Sequence, residues 1–194
     1  METRINTIHQ NELDQYRLQQ QAEVGLAARL GLPELRAGQV VIRDERNWRI
    51  NEKEIAYGWL IRVSRSFAGW CWLFSIQFKE SRFRDIKNPP ELLRGIFTTD
   101  AAGEMEKFYL DTQTENLHDP IRDLPFVDLF DANPGVALDG VDYEYLVFAP
   151  NTVVRMAVNN PNSGNWKAWE KEVWKMGRDL AGKSGVRELA EIFE

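Results

Sequence analysis

The sequence predicts an α+β fold: one antiparallel sheet of about six to seven strands built from hairpins, covered by an N-terminal helix and two C-terminal helices. Three patterns predict it. The stretch Ala56–Phe78 alternates large apolar side chains with a period of two on both sides of an Arg65–Ala68 corner. Two further pairs of β-prone runs, within 95–110 and 141–158, each flank a short turn-forming segment. After Asn159–Gly164 the apolar spacing changes to three and four, the period of a helix.

Residues 11–30 read as an amphipathic helix. Asn11 caps it, Glu12 and Asp14 suit the positive end of its dipole, and Gly31 with Pro33 stops it. Leu13, Tyr16, Val24, Ala27 and Ala28 form its apolar side, which strengthens from Val24 onward, so the C-terminal half is the docking part. Residues 1–10 are expected to fray. Gln39–Arg43 and Asn47–Ile50 read as short strands, and Asn51–Glu54 as a polar turn.

In the aromatic stretch, a two-residue corner pairs Val63 with Trp70, Ile61 with Trp72, Trp59 with Phe74 and Tyr57 with Ile76. All the large side chains then share one face, and a one-residue slip would turn them outward. A charged linker, Lys79–Lys87, follows, and Pro90 opens one helical turn through Arg94. Gly95–Thr99 and Glu104–Leu110 form the next hairpin about Asp100–Gly103. Residues 112–140 read as a long, Asp-rich loop anchored by Leu124–Phe130; a loop of that length inside a compact domain tends to be functional.

Val141–Ala149 and Thr152–Val158 form the last hairpin, pairing Val147 with Val154, Tyr145 with Met156 and Tyr143 with Val158. Asn162 or Ser163 caps the helix that carries Trp166, Trp169, Val173, Met176 and Leu180 on one stripe. Gly182 ends it and Ser184 caps the last helix. Nothing divides the chain, so residues 1–194 are expected to be a single domain with helices on one face of the sheet.

At 194 residues the chain can bury a core without disulfides, and its one cysteine, Cys71, allows no intrachain bridge. Arg62 and Arg65 interrupt the most apolar run, which argues against a membrane helix. The start Met1–Asn6 lacks a secretion signal, so a soluble cytoplasmic protein is expected. The net charge of −6 is unevenly spread. Residues 29–94 carry 13 Lys/Arg against 8 Asp/Glu (+5), and residues 104–144 carry 2 against 11 (−9).

Catalytic chemistry finds little footing. His9 lies in the frayed start, and His118 beside Asp119 lacks a fold-held orienting carboxylate. The oxygens of Asp131, Asn133 and Asp139 lack the twelfth-position glutamate of a calcium loop, since Asp142 stands there. Gly182–Gly185 lacks the upstream glycine and strand of a phosphate loop. No catalytic residue, metal or cofactor is therefore assigned.

The reading that follows is a non-enzymatic binding module. Its acidic residues Asp119, Asp123, Asp128, Asp131, Asp139 and Asp142 would engage a basic protein partner, as immunity proteins and antitoxins do by analogy of size and charge. Two alternatives compete with it. One is a small-molecule pocket or enzyme lined by Trp59, Trp72, Tyr143 and Tyr145 under the long loop. The other is a single-stranded nucleic-acid surface on the basic 43–94 face, with Arg62, Arg65, Lys79, Arg82 and Arg84 beside Trp48 or Phe67.

Overall fold

The computed structural model describes residues 2–43, 49–83, 86–124, 140–161 and 163–194. For residues 2–12, 15, 40–43, 49–52, 81–83 and 86–88 it describes the backbone alone. Its elements are α1 (Glu2–Arg29), β1 (Gly38–Arg43), β2 (Arg49–Arg65), β3 (Gly69–Lys79), β4 (Ser81–Phe83), β5 (Ile86–Asn88), β6 (Glu91–Thr99), β7 (Met105–Gln113), β8 (Val141–Ala149), β9 (Thr152–Asn159), α2 (Gly164–Ser184) and α3 (Arg187–Glu191). Seven strands form one antiparallel sheet in the order β7-β6-β3-β2-β8-β9, with β1 also paired to β2; β4 and β5 form a separate small ribbon. The α+β class, the single sheet and the three helices match the expectation.

The register of the β2–β3 hairpin differs from it. Its closing pair is Arg65–Gly69, around the three-residue loop Ser66-Phe67-Ala68, and Val63 pairs with Cys71, Ile61 with Leu73, Trp59 with Ser75 and Tyr57 with Gln77. The loop accommodates its extra residue through positive φ at Phe67 (65°) and Gly69 (105°). Glycine takes such angles freely, whereas at Phe67 the crowding of Cβ costs about 1 kcal/mol.

Moving β3 by one residue sends its aromatic series to the other face. Tyr57, Trp59, Ile61 and Val63 pack with Cys71, Leu73, Trp166, Trp169, Val173, Leu180 and Phe193 beneath α2 and α3. Trp72, Phe74, Ile76 and Phe78 pack instead with Leu93, Phe97, Phe148, Ala22 and Leu26 beneath α1. A β-bulge between Ile55 and Tyr57 brings Ile55 onto that second side. Helices therefore cover both faces of the sheet rather than one.

The other elements hold with local corrections. α1 begins at Glu2, so Asn11 is inside the helix and does not cap it. It docks through Ala22, Leu26 and Ala27 in its C-terminal half, while Val24 is 70% exposed. β2 runs unbroken through Asn51–Glu54, because β1 supplies a partner for that segment. Pro90 precedes strand β6, not a helical turn, since residues 91–97 find ladder partners on β3. The β8–β9 register is the one read from the sequence. Ser163 caps α2, its hydroxyl accepting the Trp166 N–H at 3.4 Å. α2 passes Gly182, runs through Ser184 and ends at a left-handed Gly185, so Gly182 does not end the helix, and Ser184 lies inside α2 rather than capping α3, whose N-cap is Val186. Among the described residues, no helix is long and apolar enough to cross a membrane.

Side-chain packing on the α1 face uses backbone glycine as floor. A Cβ on Gly95 would lie 2.4 Å from the Phe74 ring and 2.5 Å from the Tyr109 carbonyl oxygen. The carbonyl belongs to a paired strand and cannot swing away as a side chain could. Gly95→Ala is expected to lower stability by about 2 kcal/mol, read as a lower urea midpoint at unchanged slope. A midpoint equal to wild type would refute this close packing.

Candidate functional site

The acidic segment leaves β7 after Gln113 and crosses back over the face of the sheet that carries Trp59. Its first described part, 114–124, is fastened there by Asp119, which is 1% exposed. Oδ2 of Asp119 accepts from the Trp59 indole N–H at 2.8 Å, the Ser75 hydroxyl at 2.8 Å and the Tyr57 hydroxyl at 3.2 Å. Oδ1 accepts the backbone N–H groups of Ile121 at 3.1 Å and Arg122 at 3.4 Å. Burying a carboxylate is costly unless its lone pairs are met, and five donors meet them.

The sequence prepares this cage locally. Trp59 and Ser75 are cross-strand partners, so their side chains stand together on one face. Pro120 after Asp119 turns the chain, and the backbone N–H of Asp123 closes one turn onto the Asp119 carbonyl at 3.2 Å. Ile121 is buried against the α2 side of the core, and Arg94 donates to the carbonyl of His118. The Arg122 guanidinium lies 4.6 Å above the Tyr57 ring and sets a positive charge beside the buried negative one.

Electrostatics follow from this burial. Tyr57 is held well above the ordinary tyrosine range, first by burial and then by the Asp119 charge, with Arg122 opposing. Tyr145 is pushed the same way by burial and then by Asp119. These hydroxyls stay protonated, and that of Tyr57 serves as a donor to Asp119. Burial also raises the Cys71 thiol, which is fully enclosed and is not placed as a nucleophile.

Asp119 is thus an internal anchor, and its assignment to a partner-binding surface is corrected: three donors from the sheet and two from its own loop hold it out of reach of a partner. Asp123 remains outside, its Oδ2 3.0 Å from Nδ1 of an equally outward His118. Asp142 is exposed near the start of β8, opposite Ser64. It lies seven positions along β2 from Tyr57, on the order of 23 Å, and on the α1 side of the sheet. Asp119 and Asp142 therefore do not share a surface. Asp128, Asp131 and Asp139, with the calcium-like stretch they contain, lie outside the described residues.

The aromatic pocket is corrected too. Trp59 and Trp72 stand on opposite faces because of the register, so the four residues do not line one cavity. Tyr143 donates its hydroxyl to Glu170 at 2.6 Å and accepts the Trp174 indole N–H at 2.7 Å. The rings of Tyr143 and Tyr145 pack on Trp169 at 5.0 and 5.5 Å. They build the helix–sheet contact.

Several cations of the basic stretch are engaged within the protein. Arg62 is 9% exposed and pairs with Glu144 at 2.6 Å, with its guanidinium over Trp70 and Trp72. Glu144 is raised by its burial, against the pull of Arg62. Arg65 donates to the Ile192 carbonyl at 3.2 Å and lies over Trp174. Lys79 pairs with Glu54, and Lys53 with Glu91. The side chain of Arg82, with Arg84 and Trp48, falls outside the described residues. The described cations form no free row for phosphates, whereas Phe67 at the hairpin tip is 98% exposed.

The anchoring role of Asp119 and its partners Tyr57, Ser75 and Arg122 was not read from the sequence. The available signals were Asp-Pro inside a loop and a serine interrupting an apolar strand face. Compared with known protein families, characterised proteins and solved structures, the chain matches none.

Replacing the carboxylate by an amide leaves an NH2 group facing donors. Asp119→Asn is expected to destabilise the protein by about 3 kcal/mol and to free the loop. Urea denaturation reads the first effect. Hydrogen exchange at the amides of Ile121 and Arg122 reads the second, and unchanged protection there would dismiss Asp119 as the anchor.

Proposed function

We propose that this protein is a non-enzymatic binding module whose acidic 111–144 segment engages a basic surface on a partner protein. The observation that carries the reading is the fixing of residues 114–124 to the sheet by Asp119, which leaves Asp123 turned outward. An anchored loop loses less conformational entropy on association than a free tail does. A balance of −9 over residues 104–144, in a chain of net charge −6, speeds encounter with a basic partner and discourages acidic ones. Binding of this kind neutralises or masks the partner by occupying its basic face.

The test is charge reversal at positions away from the internal anchor. Each protein captured by the immobilised chain is purified and its association with wild type is measured at low and physiological salt. In the triple variant Asp123→Lys, Asp128→Lys, Asp131→Lys, association is expected to slow at least about tenfold and to lose most of its salt dependence. A triple variant that associates at the wild-type rate, with the same salt dependence, would overturn the proposal.

A further inference from the structure

Phe67 occupies the apex of the β2–β3 hairpin, and two independent features set it apart. Its side chain is 98% exposed. Its backbone has a φ of 65°, in the left-handed region where glycine or asparagine is the unstrained choice. A single exposed apolar residue is ordinary on a protein surface. An exposed phenylalanine at a strained turn position serves neither packing nor the turn, so folding does not account for it.

The tip is also braced. The Ala68 N–H closes the turn on the Arg65 carbonyl at 3.2 Å. The N–H and the hydroxyl of Ser66 both donate to the carbonyl of Gly140, at 3.2 and 3.3 Å. Arg65 reaches across to the Ile192 carbonyl and lies 5.6 Å from the Trp174 ring. A ring held out on a fixed turn has little freedom left to lose on binding, which is the property of an interface anchor. Gly140 stands at the C-terminal end of the acidic segment, Val141 pairs with Arg65, and Asp142 next to it is exposed. The aromatic knob and the end of the acidic segment thus share one end of the molecule.

We infer that Phe67 is the hydrophobic anchor with which this end of the protein enters an apolar pocket on a partner protein, a pocket whose basic rim meets the exposed Asp142. The inference rests on the acidic-surface reading above and assigns the tip the slow-dissociation role, leaving the carboxylates to steer the encounter.

A photo-crosslinker tests it. The full chain carrying Phe67→p-benzoylphenylalanine is irradiated in the cells that make the protein, and the product is identified by mass spectrometry. The captured protein is then purified for kinetic measurements with wild type, Phe67→Ser and Phe67→Gly. The expected product is a different protein joined through a basic surface. Phe67→Ser is expected to dissociate at least about tenfold faster with unchanged salt dependence. Phe67→Gly should lose binding equally while raising Tm by about 2 °C through release of the turn strain, which separates binding from folding. No cross-link, a cross-link to a second copy of this chain, or wild-type dissociation by Phe67→Ser would each overturn the anchor. If Phe67→Ser behaves as wild type while the charge-reversed triple variant associates slowly, the anchor falls and the acidic reading stands. The converse result removes the acidic surface and keeps the anchor.

Discussion

The three-residue loop between β2 and β3 is the constraint on which the rest of the structure depends. With Arg65 opposite Gly69, odd-numbered residues of β2 share a face with odd-numbered residues of β3. That parity has three consequences. It divides the large aromatic side chains between the two sides of the sheet, so one helix layer cannot bury them and both ends of the chain must supply helices. It sets Trp59 opposite Ser75, the pair that receives the Asp119 carboxylate. It also leaves Phe67 at the apex with a positive φ and its ring in water. A two-residue corner would set Trp59 opposite Phe74 and Ser75 on the far face, and the cage could not form.

The cage explains how a segment so rich in negative charge stays attached to the sheet. Carboxylates favour water, and a run of them repels its own members. One of them is turned inward and given two side-chain hydroxyls, an indole and two backbone amides, all donors, with the Arg122 cation at the edge. These bonds are stronger than neutral ones because the acceptor is ionised, and the loop gains a fixed starting point. Arg62 and Glu144 solve the mirror problem under α1: a buried cation is tolerable there because a carboxylate and two indole rings surround it.

Most of the architecture was legible in the sequence where local pattern and long-range pairing agree. The β8–β9 register followed from Val147, Tyr145 and Tyr143 alternating against Val154, Met156 and Val158 around a short turn. The α2 stripe and its Ser163 cap followed from helical spacing and cap chemistry. What failed depended on partners distant in sequence. Asn51–Glu54 has the composition of a turn yet is strand, because β1 returns to pair with it. Leu92–Arg94 could begin a helix until β3 supplies a ladder. The length of the β2–β3 loop was misread because both registers keep a period of two, and only the helix cover on both faces decides between them. Asp119 was counted with its exposed neighbours for the same reason: composition reports a charge but not the donors that await it across the fold.

The described ends of the acidic segment are held by different means at opposite ends of the sheet. Near Tyr57 the hold is the Asp119 cage. Near Ser64 it is the Gly140 carbonyl on Ser66, together with the Asn160 side chain, which accepts the Val141 N–H at 2.9 Å. Tying a chain at both ends removes loop-closure entropy that would otherwise be lost only when a partner arrives. The second tie serves the hairpin as well, since the same Gly140 oxygen that ends the acidic segment holds the turn that projects Phe67. One carbonyl thereby links the charged part of the proposed interface to its apolar part. Loosening that end disturbs the two together, whereas, among the described residues, the brace on the hairpin tip makes no contact with the Asp119 cage at the other end.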